Sequence, residues 1–233
     1  MSFRFALQEY IDDPLKHPDT VLYHTEDAVI IKDKFPKSIR HYLVLPRGRS
    51  ISFEHPLEVF ELHPELYIEM EEYIARAKRL IVESLQEHKL VEFTDQLSEQ
   101  EFINTFIQVG VHSIPSMNNL HVHVMTRDFH LERLKNKKHY NSFTSSFFVE
   151  WKKLNPDNFA SGSESDGDSD DGPTNGLERD EKKLALTIKN TPLVCTYCGK
   201  NFKNQLKLLK EHLAREFENK FNVKRNVNDR PNP

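Results

Sequence analysis

The chain has 233 residues, enough for one good-sized domain and a small appendage. No apolar run is long enough to cross a membrane, and the N-terminus lacks the apolar region of a secretory signal. The formal net charge of −4 hides an asymmetry, since residues 156–181 carry one Lys or Arg against nine Asp or Glu, whereas residues 182–233 carry 12 against four.

The first predicted elements are a short helix and three strands. Residues 2–11 form an amphipathic pattern in which Phe3, Leu7 and Tyr10 share one face, and we expect this helix to pack on the core. Turn residues separate the three β-rich segments that follow. The predicted strands cover residues 20–24, 28–32 and 41–45.

A long helix and a hairpin complete the first domain. Apolar residues recur at helical spacing from Glu65 to about Leu85, and Pro64 lies just ahead of them, as expected at a helix start. Residues 102–112 are predicted to form a strand that pairs through a turn at 114–119 with the next strand, which ends at Thr126. These elements indicate an α+β fold with an antiparallel sheet and one long helix over residues 1–155.

The second strand of that hairpin carries His121 and His123, separated by one valine. With a side-chain period of two, both imidazoles lie on one face, and Leu120, Val122 and Val124 lie on the other. A third histidine, His112, ends the preceding strand. The sequence therefore predicts a rigid pair of imidazoles with a third one nearby.

Three interpretations of these histidines compete. A metal site lacks an Asp, Glu or Cys within the strand to complete its ligand shell. If the two histidines had no function, two imidazoles would be buried without hydrogen-bond partners, which costs folding free energy. Nucleophilic catalysis at phosphorus assigns work to all three, because imidazole is both a good nucleophile near neutral pH and a good leaving group.

The rest of the chain is predicted to be a linker and a metal-binding tail. Residues 161–173 contain no apolar residue, so 156–183 is expected to be an acidic, disordered linker. The tail, residues 184–233, holds the only two cysteines, Cys195 and Cys198, followed by His212. This spacing indicates structural zinc in a reducing compartment.

The usual second histidine of such a finger is missing. Glu216 lies one helical turn after His212 and is the predicted fourth ligand, with water as the alternative. The finger is basic, as expected for phosphate contacts, although a merely solvated surface would carry the same charges. The candidate DNA-binding lysines are Lys200, Lys203, Lys207 and Lys210.

Several motifs resemble the histidine triad (HIT) family of nucleotide hydrolases. These are the histidine strand, Lys-Asp-Lys-Phe-Pro-Lys at 32–37 and His-Tyr-Leu-Val-Leu-Pro at 41–46. Residues 110–117, residues 134–143 and the C-terminal finger extend the resemblance to the DNA deadenylases of that family. It covers nearly the whole chain except the acidic linker. No forkhead-associated domain precedes the motifs, so the form is similar to the compact fungal members.

The resemblance implies a role for each matched residue. His121 would attack the AMP phosphorus, His123 would hold the non-bridging oxygens, and His112 would assist the leaving 5′-phosphate. Asp33 would accept hydrogen bonds from the ribose, and Phe3 would stack on the DNA end instead of packing on the core. The remaining nucleotide-pocket or phosphate contacts would be Lys34, Ser116, Met117, Asn119 and Lys138.

One position departs from the family pattern His-φ-His-φ-His. Asn119 occupies the place of the first histidine. An amide can donate a hydrogen bond to the middle histidine or to the phosphate, but it cannot carry a proton at neutral pH. A proton-relay role at this position is therefore not expected, whereas attack by His121 is unaffected.

Taken together, the resemblance and the basic finger predict a nuclear, monomeric DNA-repair hydrolase that binds adenylated DNA ends and releases AMP. Zinc would be structural, and no catalytic metal is expected. Two other functions remain open: a HIT hydrolase of adenosine phosphoramidates or dinucleotides, and a non-catalytic nucleic-acid binding module. The basic tail argues against the first, and the three histidines argue against the second.

Overall fold

The computed structural model describes residues 3–95, 97–159 and 176–221. Six strands form one antiparallel sheet in the spatial order β1-β2-β3-β5-β4-β6. The predicted α+β class and the antiparallel pairing of the histidine hairpin are confirmed. The strands are β1 (Val21–His24), β2 (Ala28–Lys32), β3 (His41–Pro46), β4 (Ile107–His112), β5 (Val122–Thr126) and β6 (Phe148–Glu150).

Seven α-helices accompany the sheet in the described part of the chain. None of them is both long enough and apolar enough to span a membrane. The described residues also form four short 3-10 turns, at Phe3–Phe5, Pro14–Lys16, Trp151–Leu154 and Pro156–Asn158. The helices are α1 (Gln8–Asp12), α2 (Val59–Leu62), α3 (Pro64–Glu87), α4 (Glu99–Phe106), α5 (Lys137–Thr144), α6 (Glu181–Asn190) and α7 (Leu206–Phe221).

The long helix α3 covers one face of the sheet. Pro64 is at its first turn, as predicted, because the N–H that proline lacks would have no partner there. Its apolar stripe buries Met70, Ile74 and Ile81 against Val122 and other sheet residues in the main core. Packing on this face leaves the opposite face free for polar chemistry.

The segment 102–106 was predicted to extend the following strand, and that prediction is wrong. It belongs to α4, whose N-cap Ser98 accepts a hydrogen bond from the Glu101 N–H at 3.1 Å. Phe102 and Phe106 are spaced four residues apart and both are buried, which matches a helix period. The cap and this spacing outweigh the local β propensity.

The predicted N-terminal helix is interrupted. A 3-10 turn at Phe3–Phe5 precedes the five-residue helix α1. Leu7 and Ile11 are buried in a second apolar cluster against β2 and β3, as predicted for this amphipathic segment. Phe3 is 65% exposed, so the expectation that it packs on the core is wrong.

Residues 176–221 pack against the domain that contains the six-stranded sheet. Phe217 and Phe221 of α7 enter the main core beside Phe102 and Phe106, with a Phe106–Phe221 ring distance of 4.4 Å. Arg179, placed in the linker by composition, pairs with Glu58, and residues 156–158 form a 3-10 turn. The ends of the predicted linker are thus structured, because their side chains find partners on the domain; residues 160–175 lie outside the described part.

Gly110 allows β4 to approach β6 closely. A Cβ at this position would lie 2.1 Å from the Val149 carbonyl oxygen and 2.8 Å from the Phe148 ring. We expect Gly110→Ala to destabilise the fold by about 3 kcal/mol or more, because backbone must shift to relieve the overlap. Urea unfolding measures this, with Gly48→Ala as the matched control, since a Cβ there meets only side-chain atoms at 3.6 Å. Equal stability of both variants would contradict the expectation.

Candidate active site

The register of the central strands sets the face on which the histidines lie. His123 pairs with Leu43 of β3 and with Gly110 of β4. Residues directly opposite in antiparallel strands share a face, and Val122 and Val124 are in the core beneath α3. The predicted alternation between histidine face and valine face is therefore confirmed.

Four imidazole rings meet on the histidine face. His123 lies in the middle, with ring centroids 4.7 Å from His112, 5.0 Å from His121 and 5.1 Å from His41. Phe143 of α5 contacts three of these rings, at centroid distances of 4.6 Å to His112, 5.3 Å to His123 and 5.5 Å to His41. The cluster therefore rests on an apolar floor and is largely shielded from water.

A hydrogen-bonded chain assigns the tautomer of His123. The main-chain N–H of Lys37 is directed at His41 Nδ1 at 3.3 Å, so this nitrogen accepts. His41 Nε2 then carries the proton and donates to His123 Nδ1 at 2.8 Å. His123 consequently bears its proton on Nε2, which is buried without a partner among the described residues. This N–H is a free donor for an anionic oxygen.

A main-chain bond orients His121. Its Nδ1 lies 2.7 Å from the Asn119 carbonyl oxygen. A carbonyl only accepts, so Nδ1 carries the proton and Nε2 presents its lone pair. The Asn119 side chain contacts other groups instead, donating from Nδ2 to Gln8 Oε1 and Ser52 Oγ. The expected bond from the Asn119 amide to the middle histidine is thus replaced by one from the ring to the main-chain carbonyl.

Burial keeps these imidazoles neutral at pH 7. It lowers the pKa of His112 to about 3 and that of His41 to about 4. Burial likewise lowers the pKa of His121, and it holds the pKa of His123 well below the ordinary histidine value. The neighbouring imidazoles add to the effect on His112 and His123. The lone pair on His121 is therefore available without a prior deprotonation step.

The lowered pKa values predict that acid destabilises the fold. As pH falls below about 6.5, histidines of the unfolded chain bind protons, whereas the buried histidines of the folded chain stay neutral. The free energy of unfolding is therefore at its full value above pH 6.5 and declines towards pH 4. For His41, with a folded pKa of about 4, the loss amounts to about 3 kcal/mol. Urea unfolding of the native protein and of His41→Gln between pH 7 and 4.5 measures it. The variant should show the smaller pH slope; equal slopes would contradict this assignment.

Asp33 lies beside His41 and His123, so the tertiary structure supplies the carboxylate that the strand itself lacks. One ligand atom from each of the three lies within 4.8 Å of the others. The two His41 nitrogens face different partners, with Nδ1 3.4 Å from Asp33 Oδ2 and Nε2 towards His123. This arrangement is a chain of polar contacts and does not converge on one point as a metal shell would.

The other residues predicted to contact the nucleotide surround this cluster with different degrees of exposure. The Asp33 carboxylate accepts a hydrogen bond from the Phe35 N–H at 2.6 Å and retains 15% side-chain exposure. Met117 is half-buried against the cluster formed by Leu7 and Ile11. Three further predicted residues, Lys34, Ser116 and Lys138, are exposed.

The finger residues fit a zinc ion. Ligand atoms of Cys195, Cys198 and His212 lie within 4.8 Å of one another, and Cys198 Sγ is 3.2 Å from His212 Nε2. A tetrahedral zinc with ordinary bond lengths places such a sulfur and nitrogen about 3.5 Å apart. Gly199, with φ of +73°, turns the chain after the second cysteine, and its N–H donates to the Cys195 carbonyl at 3.0 Å. This part of the chain therefore forms a structural zinc site.

Glu216 approaches the same ring nitrogen of His212. Its Oε1 is 3.2 Å from Nε2, and a shared tetrahedral zinc would give about 3.3 Å. The two residues are one turn apart on α7, as predicted. Glu216 thus contacts His212 but is not in the group whose ligand atoms lie within 4.8 Å of one another, so its role as the fourth ligand stays a prediction.

The four finger lysines differ in their contacts. Lys200, Lys203 and Lys207 are exposed, whereas Lys210 is half-buried with its Nζ 3.4 Å from the Leu134 carbonyl. Lys207 and Lys210 line an open groove of about 720 Å³ that also contains Lys135 of the catalytic domain. The groove is continuous from the finger to the domain that carries the histidines.

Three residues of the site are not predicted from the sequence to act there. His41 and Phe143 contact His123, and the main-chain N–H of Lys37 contacts His41. His41 begins a strand in which alternate residues share a face with Leu43, so its period-two position was the available signal. Lys37 and Phe143 lie in the motifs at 32–37 and 134–143, but neither motif indicates a contact with the histidines.

Comparisons with known proteins agree with this architecture. A model of the HIT domain matches residues 15–130, and a model of the C2HE / C2H2 / C2HC zinc-binding finger matches residues 144–219. The aprataxin-like protein of Saccharomyces cerevisiae (strain ATCC 204508 / S288c) is 38% identical over 237 residues, covering 96% of this chain and 100% of that protein.

Solved structures give the same result. The crystal structure of aprataxin ortholog Hnt3 in complex with DNA matches with a TM-score of 0.73 and 34% identity, covering 94% of this chain and 96% of that one. Hnt3 in complex with DNA and guanosine matches with a TM-score of 0.73 and 33% identity, covering 94% and 97%. The likeness extends over both the histidine face and the finger.

Proposed function

The chain belongs to the aprataxin-like members of the HIT-domain family, and we propose that it is a DNA-repair hydrolase that removes AMP from adenylated 5′ ends left by abortive ligation. The observation that carries the proposal is the neutral His121 with its Nε2 lone pair free, beside the unpartnered Nε2–H of His123. A nucleophile next to an oxyanion donor is the set that phosphoryl transfer requires. The DNA complexes of Hnt3 support DNA as the carrier of the adenylate.

The proposed reaction has two steps. His121 Nε2 attacks the AMP phosphorus, a P–N bond forms, and the P–O bond to the DNA 5′-phosphate breaks with its electron pair on the departing oxygen. His112 is proposed to assist the departure of the 5′-phosphate, and its Nε2 is buried without a partner among the described residues. A water molecule then attacks the same phosphorus, the P–N bond breaks with its electron pair on His121 Nε2, and AMP and one water proton are released.

His123 is proposed to stabilise the negative charge on the phosphate. The chain from the Lys37 N–H through His41 leaves its Nε2–H as a donor for a non-bridging oxygen. The burial of the cluster strengthens such a bond, because water does not compete for the donor. Asp33 is proposed to accept from the ribose hydroxyls, and Lys34, Ser116, Met117 and Lys138 to complete the nucleotide and phosphate contacts.

The DNA-binding surface is proposed to lie on the finger and on the N-terminal turn. Lys200, Lys203, Lys207 and Lys210 would neutralise phosphates, and the exposed Phe3 would stack on the terminal base pair. When zinc is bound by Cys195, Cys198, His212 and Glu216, it fixes the finger and supplies no chemistry to the histidine site. We infer a nuclear, monomeric enzyme; the guanosine complex of Hnt3 favours 3′-guanylated ends as a second substrate.

The test compares two substrates with the full chain. We expect kcat/KM on adenylated nicked DNA to exceed that on AMP-lysine by at least about 100-fold, because only DNA uses the basic finger and the aromatic turn. Raising salt from 50 to 200 mM should remove most of this preference. A preference for AMP-lysine would favour a small-nucleotide HIT hydrolase. DNA binding without turnover of either substrate would favour a non-catalytic binding module.

A further inference from the structure

Three phenylalanines form an exposed aromatic face near the catalytic histidines. Phe3, Phe5 and Phe53 are 65%, 38% and 51% exposed, and the rings of Phe5 and Phe53 meet edge-to-face at 6.1 Å. Phe53 lies next to Glu54, which lines a small cavity together with His112 and His121. Exposed aromatic rings at this place suit stacking against a base.

The chain around Asn119 is tied to both segments that carry these rings. The Asn118 N–H donates to the Arg4 carbonyl at 2.8 Å, and the Leu120 N–H donates to the Ser52 carbonyl at 2.7 Å. The aromatic face is thereby fixed through main-chain bonds to the residues that lead into the histidine strand.

The side chain of Asn119 adds a second set of bonds. It is fully buried, and its Nδ2 donates to Gln8 Oε1 at 2.8 Å and to Ser52 Oγ at 3.0 Å. Both amide hydrogens therefore hold segments that carry the aromatic face. A neutral imidazole has only one N–H and could not make both bonds.

The carbonyl of the same residue orients the nucleophile. The Asn119 oxygen accepts from His121 Nδ1 at 2.7 Å, which fixes the ring and leaves the lone pair on Nε2. One residue thus contacts the N-terminal helix, the loop containing Ser52 and the attacking histidine. The Leu120 N–H that binds Ser52 and the Asn119 carbonyl that binds His121 belong to one rigid peptide unit, so movement of the Ser52 segment is transmitted directly to His121. Movement of the helix acts on the same residue through the Asn119 side chain.

We propose that Asn119 is a positioning residue that couples the seating of a DNA end on the Phe3–Phe5–Phe53 face to the orientation of His121. This inference rests on the proposed deadenylase function. Binding energy from the remote DNA end is used here to align the nucleophile, so the coupling acts on DNA substrates and not on a small adenylate that never touches the aromatic face.

The test uses a partner of Asn119 outside the catalytic strand. Gln8→Met keeps the shape of the side chain but removes the acceptor oxygen, and Gln8→Glu is the matched control that retains one. We expect Gln8→Met to lower kcat/KM on adenylated nicked DNA by about tenfold, with that on AMP-lysine changed less than twofold. Gln8→Glu should restore the DNA value. Ser52→Ala, which removes the other acceptor, should reproduce the selective loss.

A second measurement reports seating directly. The fluorescence of 2-aminopurine at the terminal base pair should be quenched by stacking on the aromatic face with native protein and with Gln8→Glu, and less so with Gln8→Met. Equal losses on both substrates, or no loss on either, would overturn the coupling, because misfolding lowers both rates together. Native protein inactive on adenylated DNA would instead overturn the proposed function itself.

Discussion

His121→Ala is expected to lower kcat on adenylated nicked DNA by about 10⁴- to 10⁶-fold, the range found when a covalent nucleophile is removed. His121 is held with its proton on Nδ1 and its lone pair on Nε2. His123 cannot replace it, because its Nδ1 accepts from His41 and its Nε2 bears the proton. The measurement is single-turnover release of AMP.

The covalent intermediate gives an independent readout. Native protein quenched in alkali should carry AMP bound through a P–N bond, which survives alkali and breaks in acid, whereas His121→Ala should carry none. His24→Ala is the matched control, since His24 is exposed on the edge strand β1. Substantial turnover by His121→Ala, or an acid-stable adduct, would show that the nucleophile is another group.

Cys195→Ser is expected to release zinc and to destabilise both the finger and the catalytic domain. Structural zinc contributes about 10 kcal/mol of apparent binding free energy in isolated finger peptides. The effect should reach the catalytic core, because Phe217 and Phe221 of α7 pack beside Phe102 and Phe106. Loss of a buried phenylalanine costs about 3–5 kcal/mol. Hydrogen exchange should show reduced protection in both α7 and α4; protection unchanged in α4 would mean that the two units are independent.

Variants of Glu216 test whether this residue is the fourth zinc ligand. Glu216→Ala is expected to weaken zinc binding at least about tenfold, and Glu216→His should retain it by completing a Cys2His2 set. Glu211→Ala, an exposed carboxylate on the same helix, is the control. Zinc competition with a chelator measures all three. If Glu216→Ala binds zinc as tightly as the native chain, water completes the site.

Periodic patterns predicted the elements that position the site. The 3.6-residue repeat defined α3, and the two-residue repeat of residues 120–126 predicted that His121 and His123 share one face, with His121 just before β5. The strand predicted at 102–106 is a helix because the N-cap at Ser98 outweighs the β-like composition. The composition of the predicted linker carries no sign of the Arg179–Glu58 ion pair, because Glu58 lies far away along the chain.

Asn119 shows that a sequence pattern does not resolve which hydrogen-bond partners a buried side chain has. The sequence identified it as a departure and indicated a hydrogen bond from its side-chain amide to the middle histidine or to the phosphate. In the structure the carbonyl makes that contact, and the amide holds Gln8 and Ser52. A residue type specifies which bonds are possible, whereas the backbone path decides which partners are within reach.

By itself, the sequence determined the spacing of His112, His121 and His123, the cluster of Cys195, Cys198 and His212, and the α+β class, because each depends on residues that are close along the chain. Only the tertiary structure decided the protonation pattern of the site, since His41, Lys37 and Phe143 reach His123 from three other segments. It also decided that the finger helix shares the catalytic core. These features arise from burial and long-range contacts, for which a linear pattern carries no local signal.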